Sequence, residues 1–178
     1  VNRTTLLLAA LVLTGTSAAT IPDASAQGRI RGHAVAHTGD GGRTAVTGAA
    51  ARGERGAYTR GRRVTSDGQG NVDGRSGAYA AGANGGTAQR QGSFYRNADG
   101  SAGRQGSASI NGPNGGYATT SGSIARDAEG NVNGSRSTSA TGKNGNSYNG
   151  STSVQNGVVT HTGTCTNAAG ETIACRGN

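Results

Sequence analysis

Glycine-closed corners recur along this chain at intervals close to fifteen residues, and no other feature of the sequence restricts its fold as severely. They are Thr38-Gly39-Asp40-Gly41, Gly53-Glu54-Arg55-Gly56, Asp67-Gly68-Gln69-Gly70, Gly82-Ala83-Asn84-Gly85, Asn97-Ala98-Asp99-Gly100 and Gly112-Pro113-Asn114-Gly115. Asp127-Ala128-Glu129-Gly130, Gly142-Lys143-Asn144-Gly145, Val154-Gln155-Asn156-Gly157 and Asn167-Ala168-Ala169-Gly170 continue the series. The closing glycines are spaced 15, 14, 15, 15, 15, 15, 15, 12 and 13 residues apart, and two corner types alternate, so the full repeat is close to 30 residues. Asp or Asn first, a polar residue third and glycine fourth is the chemistry of a type I turn closed by a glycine with positive φ. Each corner therefore reads as a hairpin. The intervening segments, about eleven residues rich in Ser, Thr, Ala, Gly and Arg, show no helical period. As strands they would each run roughly 36 Å.

The turn rule fixes a register that the side chains can test. Setting Asp127 opposite Asn131 puts Arg126 against Val132, and the same rule aligns Tyr58, Ala80, Ala88, Ile110, Ala118, Ala140 and Tyr148 in one cross-strand row. A second row on that face holds Val64, Phe94, Ile124 and Val154 interleaved with Gly74, Arg104 and Gly134, and a third holds Val72, Ala102 and Val132. Between residues 57 and 156 this face gathers nine of the twelve large apolar side chains, whereas a one-residue slip divides them five to seven. The opposite face keeps Tyr79, Tyr95 and Tyr117 and is otherwise mostly Ser, Thr, Gln, Asn and Gly, with Gln91, Ser107, Ser121, Ser137 and Ser151 in one row. The expected fold is all-β: an antiparallel meander of ten or eleven strands, twisted or curled over its weakly apolar face, with a stacked β-solenoid as the alternative.

Composition agrees that no ordinary enzyme core is available. Residues 27–178 hold only eighteen large apolar side chains, and the whole chain is 3% aromatic with 34 glycines. Burial of so few groups does not offset the entropy of ordering the backbone, so the fold must draw on repeated backbone hydrogen bonding.

The chain divides into residues 1–26, 27–56, 57–156 and 157–178. In the first, Arg3, the apolar run Leu6 to Leu13 and Ala24-Ser25-Ala26 before Gln27 have the order of a secretory signal peptide, too short to span a membrane. No later stretch is long and apolar enough for a transmembrane segment. Val1 and the lack of methionine suggest a bacterial GUG start. Residues 27–56 form an irregular first repeat and residues 57–156 the regular array. Residues 157–178 are expected to be a hairpin closed by a Cys165–Cys175 disulfide, consistent with export to the periplasm, cell surface or beyond.

Alternation of Asp127-Ala128-Glu129-Gly130-Asn131 with Gly112-Pro113-Asn114-Gly115 resembles the hairpins of YD (Rhs-type) repeats. No Tyr-Asp pair occurs and the chain is short, so the encapsulating role of that family is not implied. Residues from about Gly53 to Arg176 also look like small secreted Gly/Ser/Thr/Arg-rich proteins of Gram-negative bacteria ending in a two-cysteine segment. That likeness implies a secreted class and no mechanism.

Catalytic and metal-binding patterns are missing. His33 and His37 lie about 13 Å apart along a strand, too far to chelate one ion. His161 stands alone among threonines, and the carboxylates Asp40, Glu54, Asp67, Asp99, Asp127 and Glu129 all fall in corners where capping explains them. We therefore expect no enzyme, no cofactor and no metal. Positive charge is the stronger lead. The face that collects the apolar residues also carries Arg60, Arg62, Arg90, Arg96, Arg104, Arg126 and Arg136, against Arg63 and Arg75 on the other, and Asp73 is the one acidic residue in the strand bodies of residues 57–156. Such a surface suits an anionic polysaccharide, lipopolysaccharide or extracellular DNA, because guanidinium forks match carboxylates and phosphates. The alternative is self-association through exposed edge strands into a functional-amyloid-like fibre. The rows of a lipid-facing barrel are interrupted here by arginine and glycine, and no regular Thr-x-Thr array supports ice binding.

Overall fold

A computed structural model of the chain describes residues 28–175, so residues 1–26, read above as a secretory signal peptide, lie outside the described residues. Eleven strands form one open antiparallel sheet: β1 (Gly28–His37), β2 (Arg43–Gly53), β3 (Gly56–Ser66), β4 (Val72–Gly82), β5 (Thr87–Arg96), β6 (Ala102–Asn111), β7 (Tyr117–Arg126), β8 (Val132–Thr141), β9 (Ser147–Gln155), β10 (Val158–Thr166) and β11 (Thr172–Ile173). Each strand pairs with its neighbours in sequence, which makes the sheet a meander and not a solenoid.

Local chain reversal follows the glycine chemistry. All ten closing glycines, from Gly41 to Gly170, have positive φ. At Asp127–Asn131 the Gly130 amide donates to the Asp127 carbonyl at 3.2 Å and the Asp127 amide to the Asn131 carbonyl at 3.1 Å, the pattern of a type I turn with a bulged glycine. Asp127 tightens this corner, its Oδ1 accepting the Asn131 amide at 2.8 Å and its Oδ2 the Asn131 side-chain amide at 2.9 Å. Asn167 and Glu171 exchange those roles in the last corner, the Asn167 Nδ2 donating to Glu171 Oε2 at 2.7 Å.

The predicted register is the observed one. Tyr58 lies opposite Ala80, Ala80 opposite Ala88, Ala88 opposite Ile110, Ile110 opposite Ala118, Ala118 opposite Ala140 and Ala140 opposite Tyr148. The row from Val64 through Phe94 and Ile124 to Val154 is also continuous. Residues 28–53 join the same sheet as β1 and β2, with the β2–β3 pairing shifted by one residue from the turn rule.

Four details depart from expectation. The Gly53–Gly56 corner is a two-residue turn in which Gly53 pairs with Gly56 and Ala51 with Tyr58, one residue off the bulged-turn frame. The corner read as Val154–Gly157 is a two-residue turn with Asn156 at φ 50° and Gly157 at φ 82°, and the ladder runs on to the pair Gln155 and Val158. Asn-Gly is the sequence preferred by this type I′ geometry, whose twist matches that of the flanking strands. Carried into the last hairpin, the turn rule pairs Cys165 with Ile173 and Gly163 with Cys175; the first pair forms and the second does not, the ladder ending at Ile173. The chain instead leaves the ladder after Ile173, bringing the α-carbons of the Cys165–Cys175 disulfide to 5.3 Å. Finally, the sheet does not curl over a core. Ala49 is its one buried apolar side chain, and no second layer covers either face among the described residues. Rows built from Ala, Gly and Ser offer too little apolar area to enclose.

Short-range contacts replace that core. Gly74 lies directly opposite Phe94. With no side chain at Gly74, the ring lies across that strand, and a Cβ there would collide with it. Tyr95 covers Gly103 on the other face in the same way. Hydroxyl pairs bridge neighbouring strands, including Thr120 with Thr138 at 3.1 Å and Ser121 with Ser137 at 3.3 Å.

Two outcomes test this description. Gly115 has φ 94° and open space around a would-be Cβ, so Gly115→Ala isolates the conformational cost. It should lower stability in denaturant melts by about 1–2 kcal/mol, the usual cost of a left-handed L-residue. Gly115→Asn should recover part of the loss. Hydrogen bonds from the side chains of Asn71, Ser101 and Asn131 hold the Asp67, Asp99 and Asp127 carboxyls below the ordinary aspartate range. Because the folded values are depressed, their stabilisation is complete above the unfolded value and is lost as pH falls through the folded ones. Melting temperature should therefore drop on that acidic limb, and the triple change to Asn should flatten it.

Candidate functional site

Alternation along each strand and direct pairing between strands assign every strand arginine to a face. One face carries Arg29, Arg31, Arg43, Arg60, Arg62, Arg90, Arg96, Arg104, Arg126 and Arg136. The other carries Arg52, Arg63 and Arg75. All seven arginines expected from the sequence thus share one face, and all are exposed. Sequence reasoning missed Arg29, Arg31 and Arg43 because it stopped at residue 57. The turn rule carried back through Gly53–Gly56 sets Arg52 opposite Tyr58 and leaves these three on the polar face; the observed two-residue loop shifts the pairing by one, to Ala51 opposite Tyr58, and brings them onto the arginine face.

No two arginines on this face lie directly opposite. Arg31, Ala49, Arg60, Ala78, Arg90 and Ala108 form one row across β1 to β6, alternating arginine with alanine. Strand spacing then sets the α-carbons of successive arginines about 9.6 Å apart. Arg96 and Arg126 flank Ala102 in another row, and Arg104 lies between Phe94 and Ile124. The one directly opposed pair, Arg63 and Arg75, is on the polar face. There Asp73, two residues before Arg75, is a near neighbour of both, which offsets the like charges.

No carboxylate shares the arginine face among the described residues. Asp73 is on the other side, and the remaining described carboxylates are in corners. Several arginines are held in place. Arg62 stacks with its guanidinium carbon 5.5 Å from the Phe94 ring centroid, within cation–π range. The missing side chain at Gly74 is what lets Phe94 reach across β4 towards Arg62. Arg136 Nε donates to Thr120 Oγ1 at 3.0 Å, and Arg126 donates to the Gly100 carbonyl at 2.9 Å. His161 on β10 contacts Thr152 at 2.8 Å and Tyr148 at 3.3 Å, contacts that tie β10 to β9.

Two shallow depressions adjoin on this face. One, of about 570 Å³, is floored by Ala78, Ala80, Ala88 and Ala108 and bordered by Arg60 and Arg90. The next, of about 470 Å³, runs past Arg104 and Arg136 beside the glycine lane Gly106–Gly122. A third trough, about 880 Å³, is on the polar face, where Ser107, Ser121, Ser137 and Ser151 line its floor. Its hydroxyl lining offers neutral hydrogen bonds and little charge selectivity. The ten arginines, unrelieved by acid, make the opposite face the one with a strong field. Among the described residues no group of three potential metal ligands comes together.

Comparison with known proteins finds no matching family model, no matching curated protein and no matching solved structure.

Proposed function

We propose that this chain is a non-enzymatic exported protein whose arginine face holds a linear anionic polymer lying across the strands. One observation carries the reading: among the described residues ten arginines occupy a single face of the sheet, no two of them directly opposed and no carboxylate beside them. Arginine is suited to this task because its planar fork binds carboxylate or phosphate through two hydrogen bonds. Alanine and glycine between the guanidinium groups keep the floor low, so a chain of sugars or nucleotides can approach several of them together. Tyr58 and Phe94 add half-buried rings to the same face. The Cys165–Cys175 disulfide suits the oxidising periplasm or exterior, where polysaccharide, lipopolysaccharide and extracellular DNA supply such anions.

Retention of the exported protein on heparin, on duplex DNA and on lipopolysaccharide-bearing vesicles separates these sources. Binding to at least one should weaken steeply with salt through counterion release. Combined Arg60, Arg90, Arg104 and Arg126 to Ser changes should elute at much lower salt, while Arg52, Arg63 and Arg75 to Ser leaves elution nearly unchanged. On DNA, each lost phosphate contact should reduce the log–log salt slope by about 0.9. Equal weakening by both sets would remove the assignment to this face.

A further inference from the structure

The two long edges of the sheet fit each other. Among the described residues nothing pairs with the outer side of β1, and β11 covers β10 only at Cys165 and Thr166. The outer backbone of Val158–Thr162 is therefore open. Neither edge carries the proline, lysine or bulge that ordinarily blocks strand addition. The exposed aliphatic residues concentrate here: Ile30 is 69% exposed, Val35 44%, Val158 68% and Val159 65%, while Ile110 alone among large aliphatic residues is comparably exposed on an interior strand.

Extending the observed cross-strand rows by one more strand places β1 of a second copy beside β10. His33 and His161 close the two ends of one continuous row, as do Val35 and Val159. In that frame Val35 meets Val159, Ala36 meets Val158, Ala34 meets Thr160 and Gly32 meets Thr162. Strand directions agree, because β1 and β10 run antiparallel across the meander. Hydrogen-bond phase agrees as well. Along a row, hydrogen-bonded and non-hydrogen-bonded pairs alternate from one strand interface to the next. Ten long strands is an even number, so the outer groups of β10 and of the incoming β1 are in phase. Charge agrees too: Arg29 and Arg31 lie on β1, whereas β10 has no Arg, Lys, Asp or Glu. Antiparallel self-pairing of β1 would instead crowd two copies of those arginines onto one ladder.

We infer that copies of this chain add head to tail, β1 on β10, in the frame of the existing rows. The contact is heterologous and does not close on itself by symmetry, so it propagates into chains of molecules. It also continues the arginine rows from one copy to the next without opposing like charges. This inference stands independently of polymer binding and is tested without any polymer present.

Single variants Val35→Cys and Val159→Cys, and the double variant, are treated with a short bis-maleimide that spares the native disulfide. The pair Ala34→Cys and Thr160→Cys samples the alternate ladder position. The expected result is a ladder of multimers from each double variant, dimers from mixtures of the two singles, and only monomer from either single alone. Sedimentation velocity of the unmodified protein should show concentration-dependent multimers, lost in Val159→Lys with an unchanged circular dichroism spectrum. Equal cross-linking of a single variant with itself would overturn the head-to-tail arrangement. An unmodified protein that stays monomeric up to its solubility limit would overturn association altogether.

Discussion

Backbone hydrogen bonding between strands, set in frame by corners whose last residue must be left-handed, is the interaction on which the rest of this molecule depends. The sheet has no second layer and almost no core, so side-chain burial does not choose the register. The corners do. A positive φ at the closing glycine completes the turn and its bulge, and the next strand then starts at a defined position opposite the last. Repetition makes each pairing a copy of its neighbour, so the hydrogen-bond ladder extends without a global packing problem to solve. Carboxylates and amides at the first corner position reinforce this locally, as at Asp127 and Asn167.

A sheet held in this way leaves both faces available to solvent or ligand. Large apolar residues are used sparingly, and the rings of Phe94, Tyr95 and Tyr148 lie over Gly74, Gly103 and Gly150, so contact is made within the sheet instead of beneath it. Freed from core packing, the two faces differ in chemistry. One carries hydroxyl rows that hydrogen-bond across strands. The other carries guanidinium groups separated by alanine, which presents high charge density while avoiding direct repulsion between neighbouring strands. The cost of concentrating positive charge is limited by exposure, since solvent screens it.

Much of this was legible in the sequence because the determinants are local. Asp127 to Asn131 specify a corner by themselves, and counting outward from each corner recovers the rows that contain Tyr58, Ile110 and Tyr148. The seven arginines of the central array were assigned to the correct face by that count. Legibility failed where the information is not local. The Gly53–Gly56 and Asn156-Gly157 corners are two-residue loops, a distinction from the bulged corners that depends on the twist of both flanking strands. The departure of Cys175 from the ladder reflects closure of the disulfide. Whether a weakly apolar face curls into a core depends on summed area across all strands, and here rows such as Ala78, Ala108 and Ala118 fall short. The face of Arg29, Arg31 and Arg43 is not recovered by the count either, because the two-residue loop at Gly53–Gly56 shifts the frame by one residue.

The most direct measurement of the central claim is the set of cross-strand nuclear Overhauser contacts in the protein, assigned through the middle of the sheet. The account predicts inter-strand backbone contacts that pair Gly106 with Gly122 and Ser107 with Ser121, and that continue in frame from β1 to β10. Contacts displaced by one residue from these pairings would contradict it.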